Sequence, residues 1–400
     1  MKISILLPYK ENFSPLYPGA VSLFVYETSI KSKFKKNIVV YGNTEYKNKF
    51  PLKYINIPLR KNILISQTRN YVEKFINLEK KNKSSIIEIH NRPSYIKILN
   101  SKINDRIITL YFHNDPLSME GSKSIDDRKR LLKNCYKIIF NSIWSKKRFL
   151  EGLESKFVNS NKLLVFYQSA LKSNVKIIKN KKKWITFVGK LNKAKGYDVF
   201  ANSIKKILNK YPNWKAKIIG DEKREKIFLN HKNAHILGFK KHNEVISIFK
   251  KSSIAVACSR WDEPFGRTSL EASANGCAVI ITNKGGLPET VTNAKILKTL
   301  NSKTLSNQIE LLIKNNKIRK KLQQLSINNF YLTHKFVTNK IDNYRTEKLF
   351  IKKFNIRTLR KSLRILHITN FNERLDGRLF FNTGRRINNG LIRLGHSVLG

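Results

Sequence analysis

Short apolar runs alternate with amphipathic stretches along most of the chain. In the first half, Ile3–Leu7, Asn37–Tyr41, Ile86–Ile89, Ile107–Phe112, Lys137–Phe140 and Leu163–Phe166 have the length and β-branched content of buried strands. Helical periodicity fills the gaps at Ala20–Ser32, Gln67–Glu79, Ser94–Leu99, Asp126–Asn134 and Ser142–Leu153. The pattern lapses at 171–183 into a polar, lysine-rich stretch that reads as a linker. It resumes with strands at Trp184–Val188, Lys215–Ile219, Ala234–Leu237, Ile254–Ala257 and Ala278–Thr282, and with helices at Tyr197–Lys210, Glu244–Lys250, Thr268–Ala274 and Ser302–Lys314. Strands alternating with helices predict an α/β fold with parallel sheets, here two Rossmann-like domains at 1–175 and 184–345. Ligands of such sheets bind outside the carboxyl ends of the strands, so both domains are expected to offer those ends to one cleft.

The end of the chain repeats its beginning. Leu363–Thr369 has the character of the opening strand, Thr383–Leu394 reads as a helix, and Leu394–Leu399 starts another strand. Residues 346–362 are expected as a basic linker and 363–400 as the truncated start of a further Rossmann-like unit. So short a piece cannot bury a core alone. The expectation is a fragment of a longer protein, or a tail that docks or stays loose.

Composition narrows the class. The chain has 400 residues, 41% of them hydrophobic, enough for two cored domains. No apolar run approaches the ~18 residues of a membrane span. Met1–Pro8 lacks a signal-peptide cleavage site and reads as a first strand. Cys135, Cys258 and Cys277 form no metal spacing and suit a reducing cytoplasm. The net charge of +52 is extreme, with 79 basic against 27 acidic residues. It is spread along the whole chain, so most of it reads as a bias towards lysine. A smaller attraction to anionic lipid headgroups, as a peripheral membrane contact, is the expectation left over.

Trp261-Asp262-Glu263-Pro264-Phe265-Gly266-Arg267-Thr268-Ser269-Leu270-Glu271-Ala272 is the densest chemistry. Pro264 keeps Glu263 on a loop. Gly266 gives the backbone room to turn and to approach a ligand. The helix that follows leaves N–H groups free to face an anion, with Glu271 one turn in and aimed along the same cleft. Phe187-Val188-Gly189-Lys190-Leu191 ends a strand and Lys193-Ala194-Lys195-Gly196 opens a helix, which sets Lys190 and Lys195 where a diphosphate would rest. Taken alone, this loop reads equally well as an ordinary surface loop of a lysine-rich chain.

Together these segments resemble the family-four retaining glycosyltransferases of the GT-B fold. The likeness extends through Ile218-Ile219-Gly220-Asp221, Ile236-Leu237-Gly238-Phe239, Ser259, Gly276 and Gly285-Gly286-Leu287-Pro288-Glu289. It covers most of residues 1–345 and is strongest over 184–292. The resemblance implies that Gly189, Lys190 and Lys195 bind the donor diphosphate, that Glu271 binds the nucleotide ribose, and that Glu263 lies near the donor sugar. Gly266 and Arg267 then fall where the backbone contacts phosphate or sugar. Lys190 stands where the family usually has arginine; it keeps the charge and loses the two-pronged grip.

In the first half, His113 of Leu110-Tyr111-Phe112-His113-Asn114-Asp115-Pro116 resembles the family's strand-end histidine and is expected to face the donor sugar. Gly19 of Pro18-Gly19-Ala20 resembles the glycine-rich loop by the diphosphate, with one glycine where the family often has two. His90 and Arg92, in Glu88-Ile89-His90-Asn91-Arg92-Pro93, are candidates for the acceptor side.

The function implied is transfer of a sugar, with retention, from a nucleotide diphosphate sugar to a hydroxyl of a glycan or glycolipid acceptor in surface glycan or lipopolysaccharide synthesis. It would take place in the cytoplasm or at the inner face of the membrane. No metal cofactor is expected, consistent with the absence of a DxD motif, and nucleic acid is not expected as a partner. A charge-driven nucleic-acid-binding protein and a same-fold enzyme that isomerises a nucleotide sugar, an epimerase, stay open as alternatives.

Overall fold

Residues 2–59, 66–103, 105–353, 364–367, 383–393 and 397–399 are described by the computed structural model. The chain divides into two units, Met1–Asp342 and Asn343–Gly400.

The first unit holds two parallel sheets. Strands β1 (Ile3–Leu6), β2 (Ile38–Gly42), β3 (Tyr54–Asn56), β4 (Ile86–His90), β5 (Ile107–Phe112), β6 (Lys137–Phe140) and β7 (Leu163–Val165) run in the order β3-β2-β1-β4-β5-β6-β7. Helices α1 (Ala20–Ile30), α2 (Gln67–Asn82), α3 (Tyr95–Lys102), α4 (Ile125–Asn134) and α5 (Ile143–Leu150) connect them. β1, β2, β4 and β6 are buried at every position, as expected of strands covered on both faces.

The second sheet has the order β10-β9-β8-β11-β12-β13. Its strands are β8 (Lys182–Val188), β9 (Lys215–Ile219), β10 (Ala234–Ile236), β11 (Ser252–Ala257), β12 (Ala278–Thr282) and β13 (Ala294–Leu297). Its helices are α6 (Tyr197–Lys210), α7 (His242–Lys251), α8 (Arg267–Ala274), α9 (Ser302–Lys314), α10 (Asn316–Asn328) and α11 (His334–Lys353). The start of α11 returns to the first lobe: Ser32 Oγ and Lys33 N donate to the Asp342 carboxylate at 2.6 and 2.8 Å. In each sheet the strand order reverses next to the first strand, between β1 and β4 and between β8 and β11. The loops leaving those strands are where this architecture gathers ligand-binding residues.

Two expectations about lysine-rich stretches change. The 171–183 segment connects the two sheets and is mostly exposed, as a linker would be, but it is not without structure: 175–180 forms a 3-10 helix and β8 begins at Lys182. Lys181 Nζ donates to the carbonyls of Phe249 and Asn275 at 2.8 and 2.6 Å, at the ends of α7 and α8, where exposed carbonyls favour a cation. Residues 346–353, expected as linker, continue α11. The remainder of that linker, 354–362, lies outside the described residues, as do 368–382 and 394–396 of the expected terminal unit. Described by itself, the second unit pairs β14 (Arg364–Leu366) in parallel with β15 (Ser397–Leu399), joined through α12 (Thr383–Arg393). Among the described residues no helix is long and apolar enough to cross a membrane.

Candidate active site

A cavity of about 310 Å³ lies between the two switch points of the first unit. It is lined from the first lobe by Ala20, His113, Asn114 and Asn141, and from the second by Gly189, Lys195, Trp261, Glu263, Gly266 and Arg267, among others. Local structure explains how the second-lobe groups arrive. Asn192 Oδ1 accepts from Lys195 N at 3.0 Å and holds Lys193–Lys195 in one 3-10 turn ahead of α6. That turn delivers Lys195 Nζ to the Glu263 carboxylate. Glu263 is fixed from behind, where Gly286 N donates to its carbonyl at 2.6 Å. Gly266 has φ +106°, and a Cβ there would lie 2.4 Å from Leu287 Cδ2, so only glycine makes the turn into α8.

On the opposite wall, His113 follows β5 and His90 ends β4. His90 Nδ1 and His113 Nε2 are 2.9 Å apart, and the His90 ring stacks on Tyr111 with centroids 4.4 Å apart. Burial pushes the His113 imidazole down to about 3, so the ring is neutral at physiological pH. A neutral imidazole has one donor and one acceptor nitrogen, so whichever role His113 Nε2 takes towards His90 Nδ1, His113 Nδ1 takes the other. His113 Nδ1 is buried and has no hydrogen-bond partner among the described residues. The loop is held by Asn91, at φ +56°, whose Oδ1 accepts from the N–H groups of His113 and Asn114, both at 3.1 Å. Asn141 Nδ2 donates to His113 O at 2.9 Å.

The two glutamates do not share one cavity. Glu271 lines a neighbouring cavity of about 380 Å³, and Arg267 lines both. Arg267 donates to Glu271 one turn along α8 and to Glu27 on α1 of the other lobe. His242 Nε2 meets Glu271 Oε1 at 2.8 Å. Burial alone would raise the Glu271 carboxyl, but Arg267 and His242 outweigh it and hold it below its ordinary value. Arg267 Nη1 is buried and has no partner among the described residues.

The other sequence candidates are placed as follows. Lys190 is exposed and does not line the cavity. Gly19 caps α1 beside Glu11; a Cβ there would lie 2.2 Å from Glu11 Oε1, which accepts from Ser22 N at 2.8 Å. The loop expected beside the diphosphate thus holds this chain's own carboxylate. His90 sits behind His113 and not on the cavity wall, and Arg92 donates to Asn91 O at 2.7 Å away from it.

Four residues carry roles that sequence reasoning missed. His242 holds Glu271, and Glu11 fills the start of α1. Gln168, 3% exposed, lines the first cavity with an Oε1 that has no partner among the described residues. Glu289, from the Gly-Gly-Leu-Pro-Glu run, accepts from Ile143 N and Trp144 N at 2.7 and 2.9 Å, so a second-lobe carboxylate caps α5 of the first lobe. Its place in a recognisable motif was the one available signal.

Comparison with known proteins follows the same lines. Residues 169–328 match the family described as Glycosyl transferases group 1. Spore coat protein SA of Bacillus subtilis (strain 168) is 24% identical over 361 residues, 82% of this chain and 93% of that protein. The lipopolysaccharide core biosynthesis mannosyltransferase LpsB of Rhizobium meliloti (strain 1021) is 31% identical over 28% of this chain and 34% of its own length. The chain spans about half the length of two further relatives it matches. Among solved structures, Anabaena Alr3699/HepE in complex with UDP-glucose superposes with a TM-score of 0.68 at 15% identity, over 88% of this chain and 100% of that one.

Proposed function

We propose that the protein is a retaining glycosyltransferase, from the premise that residues 169–328 match the glycosyl transferases group 1 family and the chain has a GT-B fold. It moves a sugar from a nucleotide diphosphate sugar to a hydroxyl of a glycan or glycolipid acceptor, in the cytoplasm or at the membrane's inner face and without a metal cofactor. The single observation that carries the reading is the cavity in which His113 of one lobe faces Lys195, Glu263, Gly266 and Arg267 of the other.

The chemistry follows from charge. The leaving diphosphate develops negative charge as the glycosidic C–O bond breaks. Lys195 and the start of α8 at Gly266 neutralise it, with Lys190 approaching from the exposed rim; Arg267, its charge already offset by Glu27 and Glu271, offers its unpartnered Nη1 as a hydrogen-bond donor. Lys195 is held by Glu263. Diphosphate competes for that ammonium and frees the carboxylate to face the positively charged sugar. Glu271 takes the ribose: its Oε1 already accepts from Arg267 and His242, and Oε2 is left for hydroxyl donors. His113 presents Nδ1 to a sugar oxygen, and His90 fixes the tautomer with which it does so. The acceptor hydroxyl attacks from the face the diphosphate leaves, and a departing phosphate oxygen takes its proton. Surface glycan or lipopolysaccharide synthesis is supported by the relative named for lipopolysaccharide core biosynthesis.

The test is proton NMR of the product formed from an α-configured nucleotide sugar. An α-glycoside is expected. A β-glycoside would overturn retention, and a changed nucleotide sugar formed without acceptor would identify an isomerase.

A further inference from the structure

Trp261 lines the same cavity as His113, Lys195 and Glu263, yet it is 46% exposed. Its backbone is not loose. Ser259 Oγ, Arg260 N and Trp261 N all donate to Ala194 O, at 3.1, 2.9 and 3.3 Å. Arg260 Nη1 donates to Lys193 O at 2.7 Å, and the same guanidinium grips Asp198 with two prongs. Thr282 Oγ1 donates to Ser259 O at 2.7 Å. A well-tied segment therefore holds a large aromatic side chain at the rim with much of its surface in water, which forgoes the hydrophobic gain of burying it.

We infer that a pyranose ring of the acceptor stacks on the Trp261 indole. This rests on the donor reading given above. The axial C–H bonds of a pyranose carry partial positive charge and pack on the negative face of an aromatic ring. Depth separates the two substrates. The donor sugar must be screened from water, and the groups that would meet it are nearly enclosed: His113 is 6% exposed and Glu263 9%. The acceptor arrives from solvent, and Trp261 is the half-exposed aromatic it meets on entry. Charge argues against a phosphate head at this point, because Arg260, the adjacent cation, is already neutralised by Asp198. Trp261 is thus a residue that determines acceptor specificity.

The experiment uses the full chain with whichever of UDP-glucose, ADP-glucose and GDP-mannose raises its melting temperature most. Transfer is measured to methyl α-glucopyranoside, methyl α-mannopyranoside and methyl β-galactopyranoside, with glycerol as a ringless control. Trp261→Ala is expected to raise KM for the preferred glycoside about 10-fold, near 1.4 kcal/mol, with kcat and nucleoside diphosphate Kd within about 2-fold. Trp261→Phe restores most of the loss, and the glycerol rate is the same in all three proteins. If Trp261→Ala does not fold, Trp261→Leu takes its place. An unchanged glycoside KM, an equal loss with glycerol, or donor turnover with transfer to none of the three glycosides overturns the stacking role. An equal loss of nucleotide affinity would make Trp261 a donor contact and overturn it too. A wild-type protein that binds no nucleotide sugar overturns the donor reading instead, an outcome distinct from each of these.

Discussion

Glu289 joins the two lobes by capping a helix it does not belong to, and its removal has a calculable cost. Its two oxygens accept from the first N–H groups of α5, at 2.7 and 2.9 Å, beside the 2.6 Å bond from Ser142 Oγ to Pro264 O. A hydrogen bond to a charged group contributes ~1.5–3 kcal/mol when buried. Here Ile143 is 47% exposed, so water replaces part of each bond when the carboxylate is lost. Glu289→Ala is therefore expected to cost about 2–3 kcal/mol, and Glu289→Gln about 1 kcal/mol, since an amide keeps one acceptor but not the charge at the helix start. Over unit Met1–Asp342 an unfolding entropy of ~2.1 cal/mol/K per residue turns 2–3 kcal/mol into a fall of about 3–4 °C in Tm. Scanning calorimetry of the three proteins measures it, and repeating the scans in 1 M NaCl should narrow the gap between wild type and Glu289→Gln. Identical melting of wild type and Glu289→Ala would refute the cap, and a salt-independent gap would refute its charged character.

Further predictions concern chemistry and pH. Lys195→Met should lower kcat about 100-fold or more, with a smaller change in donor affinity; equal kcat in a steady-state assay would remove Lys195 from leaving-group stabilisation. Glu271→Gln should weaken nucleoside diphosphate binding about 10-fold, with His242→Ala several-fold weaker through Glu271; calorimetric titration tests both, and unchanged affinity in Glu271→Gln would contradict the ribose role. His113 stays neutral in the folded protein down to pH about 3, whereas the unfolded chain protonates it below about 6.5. Its contribution is intact above that value and lost as pH falls, by ~1.4 kcal/mol per pH unit. His113→Asn should therefore lose less urea stability between pH 7 and pH 5 than wild type, and equal acid losses would show that the ring is not buried neutral.

What the sequence showed and hid has a physical division. Elements with sustained periodicity were legible: Ser302–Lys314 and Tyr197–Lys210 appear with the expected bounds. The short, half-buried strands β3 and β13 were not, since three or four residues of mixed character carry no period. Site residues anchored to glycine turns and strand ends were legible because backbone geometry demands particular residues there. Partnerships over long sequence distances were hidden. Glu289 meets α5 from 146 and 145 residues away and Arg267 meets Glu27 from 240 residues away, and no local pattern records either. Spacing alone put Glu263 and Glu271 side by side; one helical turn and the intervening Arg267 set them in adjoining cavities between the lobes. Charge counting could not tell the exposed Lys190 from the half-buried Lys181, whose ammonium is held by carbonyls at helix ends.

The central claim is that the cleft between the lobes holds a nucleotide sugar through its diphosphate. Calorimetric titration of the full chain with UDP-glucose, ADP-glucose and GDP-mannose, alongside Lys195→Met, addresses it most directly. The account predicts that one of the three binds with stoichiometry near one and that the lysine variant binds it more weakly. Heats indistinguishable from dilution with all three donors, or equal affinity in both proteins, would contradict it.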